Sequence, residues 1–387
     1  MEVRPGYKQT EVGVIPADWS VVSIASVARL ESGHTPSKKK PSYWNGSVPW
    51  VSLHDTSKLD ALEIHSTSHT ITEDGLNNSS ARLLPAGTVV FSRTATVGKC
   101  CVIARAMATS QDFACYVCGT SLNNYFLVYL FRGMDRVWRN LMAGSIHNTI
   151  YMPVFKKLKI PLPSIEEQCA IATALSDMDA LLDGLDRLIT KKHAIKQATM
   201  QQLLTGQTRL PGFSGKWEVK RLAEVAPLQR GFDLPNPDLR SGPYPVVYSN
   251  GVLNCHAKFQ VHGPGVVTGR SGTIGKVTYV EGPYWPHNTA LWVTNFKEND
   301  PRFVFYLYTQ IGFEKFATGS GVPTLNRNDV HNFEVLTPPT IDEQIAIATV
   351  LTDMDAEIAA LETRRTKTRA LKQAMMQELL TGRTRLV

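Results

Sequence analysis

Two short loops carry side chains suited to a polyanion. Arg93-Thr94-Ala95-Thr96-Val97-Gly98-Lys99 matches Arg270-Ser271-Gly272-Thr273-Ile274-Gly275-Lys276 position by position. Each loop follows one β-type run and precedes another (88–92 and 101–104; 265–268 and 277–280). Arg and Lys therefore flank a turn with hydroxyls near its tip. A guanidinium can address a guanine edge, while hydroxyls, backbone N–H groups and an ammonium suit phosphate. The candidates are Arg93, Thr94, Thr96 and Lys99, and Arg270, Ser271, Thr273 and Lys276. The same pattern also fits a glycine-containing hairpin with solvated charges. Lys38-Lys39-Lys40, followed by Tyr43-Trp44, is a second candidate for backbone contact or simply a solvated loop.

Other chemistries fail on spacing. A phosphate-binding G-x-x-x-x-G-K-[ST] loop would need Gly where Arg270 stands and Ser or Thr where Val277 stands. The first loop misses likewise, with Arg93 at one end and Cys100 after the Lys. Cys115 and Cys118 form a C-x-x-C near Cys100-Cys101. In a strand, residues three apart point to opposite faces, and no second C-x-x-C follows at zinc spacing. Buried structural thiols are expected, and no metal. The ten histidines show no H-x-x-x-H or H-E-x-x-H pattern. Neither Gly33-His34 nor residues 144–147 form a nucleophile elbow. Asn236-Pro237-Asp238 is not the tetrad with which an amino-methyltransferase holds a flipped base. No catalytic residue is assigned, so a self-sufficient catalyst is not expected.

The elements that must position these loops come from a repeat. Residues 164–210 and 340–386 align without a gap, with 28 of 47 positions identical. Both copies read as long helices. Ser164 with Glu167, and Thr340 with Glu343, have capping-box spacing. Pro161, Pro163, Pro338 and Pro339 stand upstream, and Gly206 and Gly382 sit where a C-terminal cap belongs. Ile171, Leu175, Met178, Leu182, Leu185 and Ile189 form an apolar seam, as do Ile347, Leu351, Met354, Ile358 and Leu361. About 40 helical residues would span roughly 60 Å. Matched seams are most simply satisfied by antiparallel mutual packing, although each helix could instead pack on its own domain.

The upstream segments correspond only faintly, through Trp19 and Trp217 and the two loops. The expected fold is mixed α+β with a pseudo-two-fold internal repeat. Two α/β globules (1–163 and 207–339) alternate with two long antiparallel helices (164–206 and 340–387) that form a coiled coil. Helical stretches within the globules are expected at 124–141 and 302–316.

Composition agrees. The chain has 387 residues, 43% hydrophobic and 19% charged, with a formal charge of +7. The first globule carries +6 and the second +2, against −1 and 0 for the two helical segments. The globules, chiefly the first, are thus the candidates for an anionic partner, though composition drift alone could give this imbalance. No run approaches the 18 apolar residues of a membrane span. The first residues lack an apolar signal core, and the six cysteines are sparse. A cytoplasmic protein with reduced thiols is expected, without a membrane partner.

These residues resemble a known family. A globule ending in P-L-P-S-I-E-E-Q or P-P-T-I-D-E-Q, then a long helix closed by Q-x-L-L-T-G-x-T-R-L, is similar to the specificity subunit of type I restriction–modification systems. The opening YKQTEVGVIPADW resembles that family's start. The resemblance implies two target recognition domains, each reading one half of a bipartite, asymmetric sequence on double-stranded DNA, with the helices as spacer. It implies docking of modification subunits, which bind S-adenosylmethionine and methylate adenine. Restriction subunits would translocate and cut with ATP and Mg. This chain itself would hold no cofactor. Two copies of one helical surface suggest two modification subunits. The docking candidates are the polar identities of the repeat: Glu167, Gln168, Asp177, Asp179, Glu343, Gln344, Asp353 and Asp355. Such identities would equally survive in a duplication that has not drifted. The competing reading is a coiled-coil interaction scaffold that does not bind DNA.

Overall fold

The computed structural model describes residues 4–142, 148–318 and 322–386. The stretch 144–147 therefore lies outside the described residues. The chain forms two compact units. One comprises residues 1–184 and 364–387, the other residues 185–363.

In the first unit a five-stranded sheet has the order β1-β5-β3-β4-β2, from β1 (Ala28–Ser32), β2 (Glu63–Ile64), β3 (Val89–Ser92), β4 (Cys100–Ile103) and β5 (Phe113–Cys118). The strands β3, β4 and most of β5 are buried on both faces, so they read as continuous apolar runs. Their alternation decides what each face meets. Val89, Phe91, Cys100, Val102, Ala114 and Tyr116 face the helical core with α1 (Asn124–Gly133). Val90, Cys101, Ile103, Phe113 and Cys115 fill a smaller core on the other face. A three-stranded sheet of Ala108–Thr109, Trp44–Val51 and His69–Ile71 completes the unit's main framework.

The second unit repeats this plan. Its four-stranded sheet has the order β6-β9-β7-β8, from β6 (Leu228–Arg230), β7 (Gly265–Gly269), β8 (Val277–Val280) and β9 (Ala290–Val293). Val266, Leu291 and Val293 face the helical core, while Val267 and Ala290 face a second cluster. A three-stranded sheet of Gly251–His256, Tyr244–Tyr248 and Trp285–Pro286 has the same parallel and antiparallel neighbours as its counterpart.

The long helices are α2 (Ile165–Leu204) and α4 (Ile341–Leu379). Gly206 and Gly382 close them at φ 69° and 67°, as expected of left-handed caps. Each unit takes the first half of one helix and the last part of the other. Within the second unit, Lys192 pairs with Glu357, Lys196 with Asp355 and Arg209 with Glu343, so one number rises as the other falls. The first unit pairs Glu167 with Arg385 and Asp179 with Lys372. Within each unit the two segments therefore run antiparallel.

The structure adds detail to these expectations. The seams do more than join helices. Ile171, Ala172, Leu175, Leu379 and Leu380 belong to the core of the first globule, and Met200, Leu203, Leu204, Ile347, Ala348 and Leu351 to that of the second. The compact units accordingly cut through the helices rather than at their ends. Residues 124–141 break into α1 and a helix Asp135–Met142, because the chain leaves helical geometry at Met134. Residues 302–316 stop at α3 (Pro301–Ile311), where Gly312 adopts φ 65° before a 3-10 turn. The capping boxes are half formed. Ser164 and Thr340 accept from the N–H of Glu167 and Glu343, but both carboxylates are directed elsewhere.

Candidate nucleic-acid interface

Each long helix is tied to its globule by the same side chains in both units. Glu167 and Glu343 are each 1% exposed. Glu167 accepts from Trp19 Nε1 at 2.9 Å and from the Arg385 guanidinium at 2.5 and 2.9 Å. Glu343 accepts from Trp217 Nε1 at 3.3 Å and from Arg209 at 2.5 and 2.7 Å. Gln168 Oε1 accepts from the N–H of Asn123, and Gln344 Oε1 from that of Asp300. Asn123 and Asp300 are the N-caps of α1 and α3. Asp179 holds Tyr129 Oη and Lys372, while Asp355 holds Tyr306 Oη and Lys196. Burial and the nearby carboxylate push the Tyr129 and Tyr306 phenols upward, so both remain donors.

Six of the docking candidates are thus engaged inside their own units. Glu167, Gln168, Glu343 and Gln344 are buried and bonded within their units. Asp179 and Asp355 are engaged by a Tyr and a Lys of the same unit. Their identity between copies reflects a shared internal joint. Asp177 and Asp353 alone of the eight are exposed.

The thiols follow the strand alternation. Cys115 and Cys118 lie on opposite faces of β5, packing with different clusters. Desolvation pushes Cys100, Cys115 and Cys118 up to about 12. All six cysteines are free thiols.

The two matched loops are hairpin tips, joining β3 to β4 and β7 to β8. They share one backbone shape. Ala95 and Gly272 have φ 60° and 86°, and Gly98 and Gly275 have φ 99° and 94°. The surrounding framework is shared as well. The N–H of Arg93 bonds the carbonyl of Asp112, and that of Arg270 the carbonyl of Thr289. The carbonyls of Arg93 and Arg270 accept from the N–H of Ile150 and Leu325. The N–H of Ser110 and of His287 bond the carbonyls of Val51 and Val247. Gly33 and Gly231 pass so close to the carbonyls of Thr109 and His287 that no Cβ fits.

The side chains on this framework divide into held and free groups. Arg93 Nε donates to the Gln111 carbonyl at 2.9 Å and Nη1 to that of Ile150 at 3.3 Å. Arg270 Nη1 points at the Asn288 carbonyl at 3.5 Å. Lys99 pairs with Asp60 at 2.7 Å. Thr96 Oγ1 bonds Ser92 Oγ, and Thr94 and Ser271 are half-buried. Lys276 is exposed and donates to the Asn250 carbonyl, and Thr273 is exposed. Lys38 and Lys39 are exposed, and Lys40 lies 3.0 Å from Tyr43 Oη and 5.0 Å from the centre of its ring. The Arg93 guanidinium thus braces the loop that carries it.

Sequence reasoning missed the groups beside these arginines. Thr35 Oγ1 donates to Gln111 Oε1 at 2.6 Å, and Asn288 Nδ2 donates to Asp233 Oδ1. Gln111 and Asn288 stand on equivalent loops, directly before Asp112 and Thr289. Only the glycines Gly33 and Gly231, two residues before Thr35 and Asp233, signalled the correspondence in sequence.

No helix among the described residues is long and apolar enough to cross a membrane. Comparison with known proteins gives a family. The model of the type I restriction modification DNA specificity domain matches twice, over residues 16–197 and 214–369. The specificity subunit of the type I restriction enzyme MjaIX of Methanocaldococcus jannaschii is 26% identical over 250 residues, 60% of this chain and 57% of that protein. That of EcoprrI of Escherichia coli is 22% identical over 364 residues, 88% of each chain. The fold is shared with the S subunit from M. genitalium, at TM-score 0.62 and 16% identity over 98% of both chains. It is shared too with the HsdS subunit from Thermoanaerobacter tengcongensis, at TM-score 0.53 and 17% identity over 95% of this chain and 98% of that one. Two matches that together take in both repeated units mean that the chain belongs to the type I restriction–modification DNA specificity family.

Proposed function

We infer that this chain is the DNA-addressing subunit of a type I restriction–modification assembly. Each unit reads one half of a bipartite, asymmetric duplex target. The observation that carries this reading is the pair of hairpin-loop frameworks, alike in backbone but flanked by unlike side chains, Thr35 and Gln111 in one unit and Asp233 and Asn288 in the other. One framework presented twice, with different groups beside its tips, suits two unlike half-sites. The groups that tie helix to globule are nearly invariant between units, because their task is the same in each.

Bond-making belongs to partners in this reading. Modification subunits bring S-adenosylmethionine, and restriction subunits bring ATP and Mg. Asp177 and Asp353, exposed and alike on the two long helices, are the remaining candidates for docking one modification subunit each. This subunit supplies the address and needs no cofactor.

Selection of randomised duplexes by the full chain, with modification subunits supplied, tests the reading. The expected result is a motif of two unlike half-sites at a fixed spacing, bound with steep salt dependence. Recovery of no sequence preference would overturn it. Failure to bind any duplex at low salt would favour an interaction scaffold instead.

A further inference from the structure

We propose that Asn288, and Gln111 at the equivalent position of the other unit, are adenine-reading side chains, one in each half of the target. This rests on the reading of the hairpin ends as a DNA surface and goes beyond it by assigning the base-contacting groups. The chemistry begins at Asp233. An ionised carboxylate only accepts hydrogen bonds, so the Asn288 atom facing it is the amide nitrogen. The hydrogen bond from Asn288 is the leading cause that holds the Asp233 carboxyl below its ordinary range, with Arg230 adding to it. The amide is thereby fixed with its carbonyl oxygen and one remaining N–H unengaged by Asp233. A carbonyl acceptor beside an N–H donor matches the N6 amino group and N7 of adenine in the major groove. Cytosine offers the amino donor without the neighbouring acceptor, and guanine and thymine present acceptors where the carbonyl would point.

Gln111 repeats the arrangement with different parts. It is exposed, and its Oε1 is held by the Thr35 hydroxyl at 2.6 Å. A carbonyl oxygen has two acceptor positions, so one remains for a base amino group beside the Nε2 donors, which bond nothing among the described residues. Thr35 and Asp233 are positioning residues, each two residues after a glycine that the framework cannot replace. Arg93 and Arg270 reach the same loops through the backbone carbonyls of Gln111 and Asn288.

Selection of randomised duplexes by the full chain and its variants separates the possibilities. Asn288→Ala is expected to lose preference at one adenine of one half-site, by about tenfold or more, with the other half-site unchanged. Gln111→Ala should do the same in the opposite half-site. Asp233→Ala should soften the adenine at the position Asn288 reads, as an orienting role requires. Circular dichroism and duplex binding at the untouched half-site report whether each variant is folded. A wild-type chain that selects two half-sites while N288A and Q111A select the same bases as before overturns the inference and leaves the proposed function standing. Equal weakening on every sequence also overturns it, as phosphate contact only. A wild-type chain without sequence preference brings down both.

Discussion

Arg385 places its guanidinium on the buried carboxylate of Glu167, 218 residues earlier in the chain, with Nε at 2.5 Å from Oε1 and Nη2 at 2.9 Å from Oε2. The same guanidinium reaches Asp18 at 2.8 and 3.0 Å and lies 5.8 Å from the Trp19 ring. Arg209 does the equivalent for Glu343 and Trp217, but within one continuous stretch of chain. The first unit is therefore closed by a segment far along the chain from its globule, and the second is not.

Removal of Arg385 leaves the Glu167 carboxylate buried with Trp19 Nε1 as its remaining partner among the described residues. Arg385→Ala should cost the first unit about 3 kcal/mol, the lower end for an orphaned buried carboxylate because the arginine is partly open to water. Urea unfolding measures this. The cost also depends on pH. The hydrogen bond from Arg385 holds the Asp18 carboxyl below its ordinary value of 3.8, against a smaller opposing effect of burial. A group with a lowered folded pKa stabilises above its unfolded pKa and ceases to as pH falls through the folded one. The deficit of Arg385→Ala relative to the parent should thus be full at neutral pH and shrink as pH drops below about 4. A deficit constant down to the acid transition would contradict the role given to Asp18.

The cysteines divide by chemistry. Cys169 and Cys255 are exposed, whereas Cys100, Cys101 and Cys115 are buried and Cys118 is half-buried. Desolvation raises Cys100, Cys115 and Cys118 to about 12, and Cys101 still further. Only the thiolate reacts. A thiol reagent at about pH 8 should modify two cysteines rapidly in the folded protein and the other four only after denaturation. Fast labelling of Cys115, or its protection by added zinc, would show that the C-x-x-C is not a structural pair.

What the sequence made legible was what regular spacing encodes. The helices, their glycine caps at Gly206 and Gly382, and the strands on either side of both matched loops follow from periodicity and punctuation. The capping box was misread because Glu167 at N3 has two possible partners. The local backbone N–H is visible in the sequence, but Arg385 is not. Arg93 is only partly legible for a related reason. Its type and its place at a turn suit a base edge, yet carbonyls of Gln111 and Ile150, distant in sequence, occupy it in the fold. Gln111 and Asn288 themselves sit in unremarkable stretches (residues 110–112 and 287–289). Their equivalence rests on backbone bonds between segments that no local pattern connects.

Asp177 and Asp353 carry the surviving expectation about partners. Both are exposed, and each stands two residues before an aspartate that is engaged internally. Reversing the charge by Asp177→Arg should weaken docking of one modification subunit and leave the second in place. Asp353→Arg should do the converse. Native mass spectrometry of the assembled complex reads the stoichiometry directly. Each change should leave stability within about 0.5 kcal/mol, as expected of exposed sites without a special structural role. Asp355→Ala offers the contrast: it strips the ionic partner from Lys196 and an acceptor from Tyr306, so it should destabilise the second unit before assembly is considered. Full occupancy by both subunits in D177R and D353R would remove these aspartates from the interface.

The lysine run answers a different question, since phosphate contacts carry affinity but no sequence. Lys38 and Lys39 are exposed, and among the described residues neither forms an ion pair. Lys40 is anchored on Tyr43, whose hydrogen bond raises its pKa, so it stays charged but is less free to move. Each lysine that neutralises a phosphate releases counterions and adds about 0.9 to the slope of log affinity against log salt. Replacing Lys38, Lys39 and Lys40 together by Ala should therefore reduce that slope by roughly 2, with the two mobile lysines as the main contributors. Binding should weaken to the same degree on every duplex, because these groups touch no base edge. The half-site motif selected from a randomised library should be unchanged. A fall in affinity confined to one half-site sequence would instead move the lysines into the groove, and an unchanged slope would leave them as a solvated loop beside the interface.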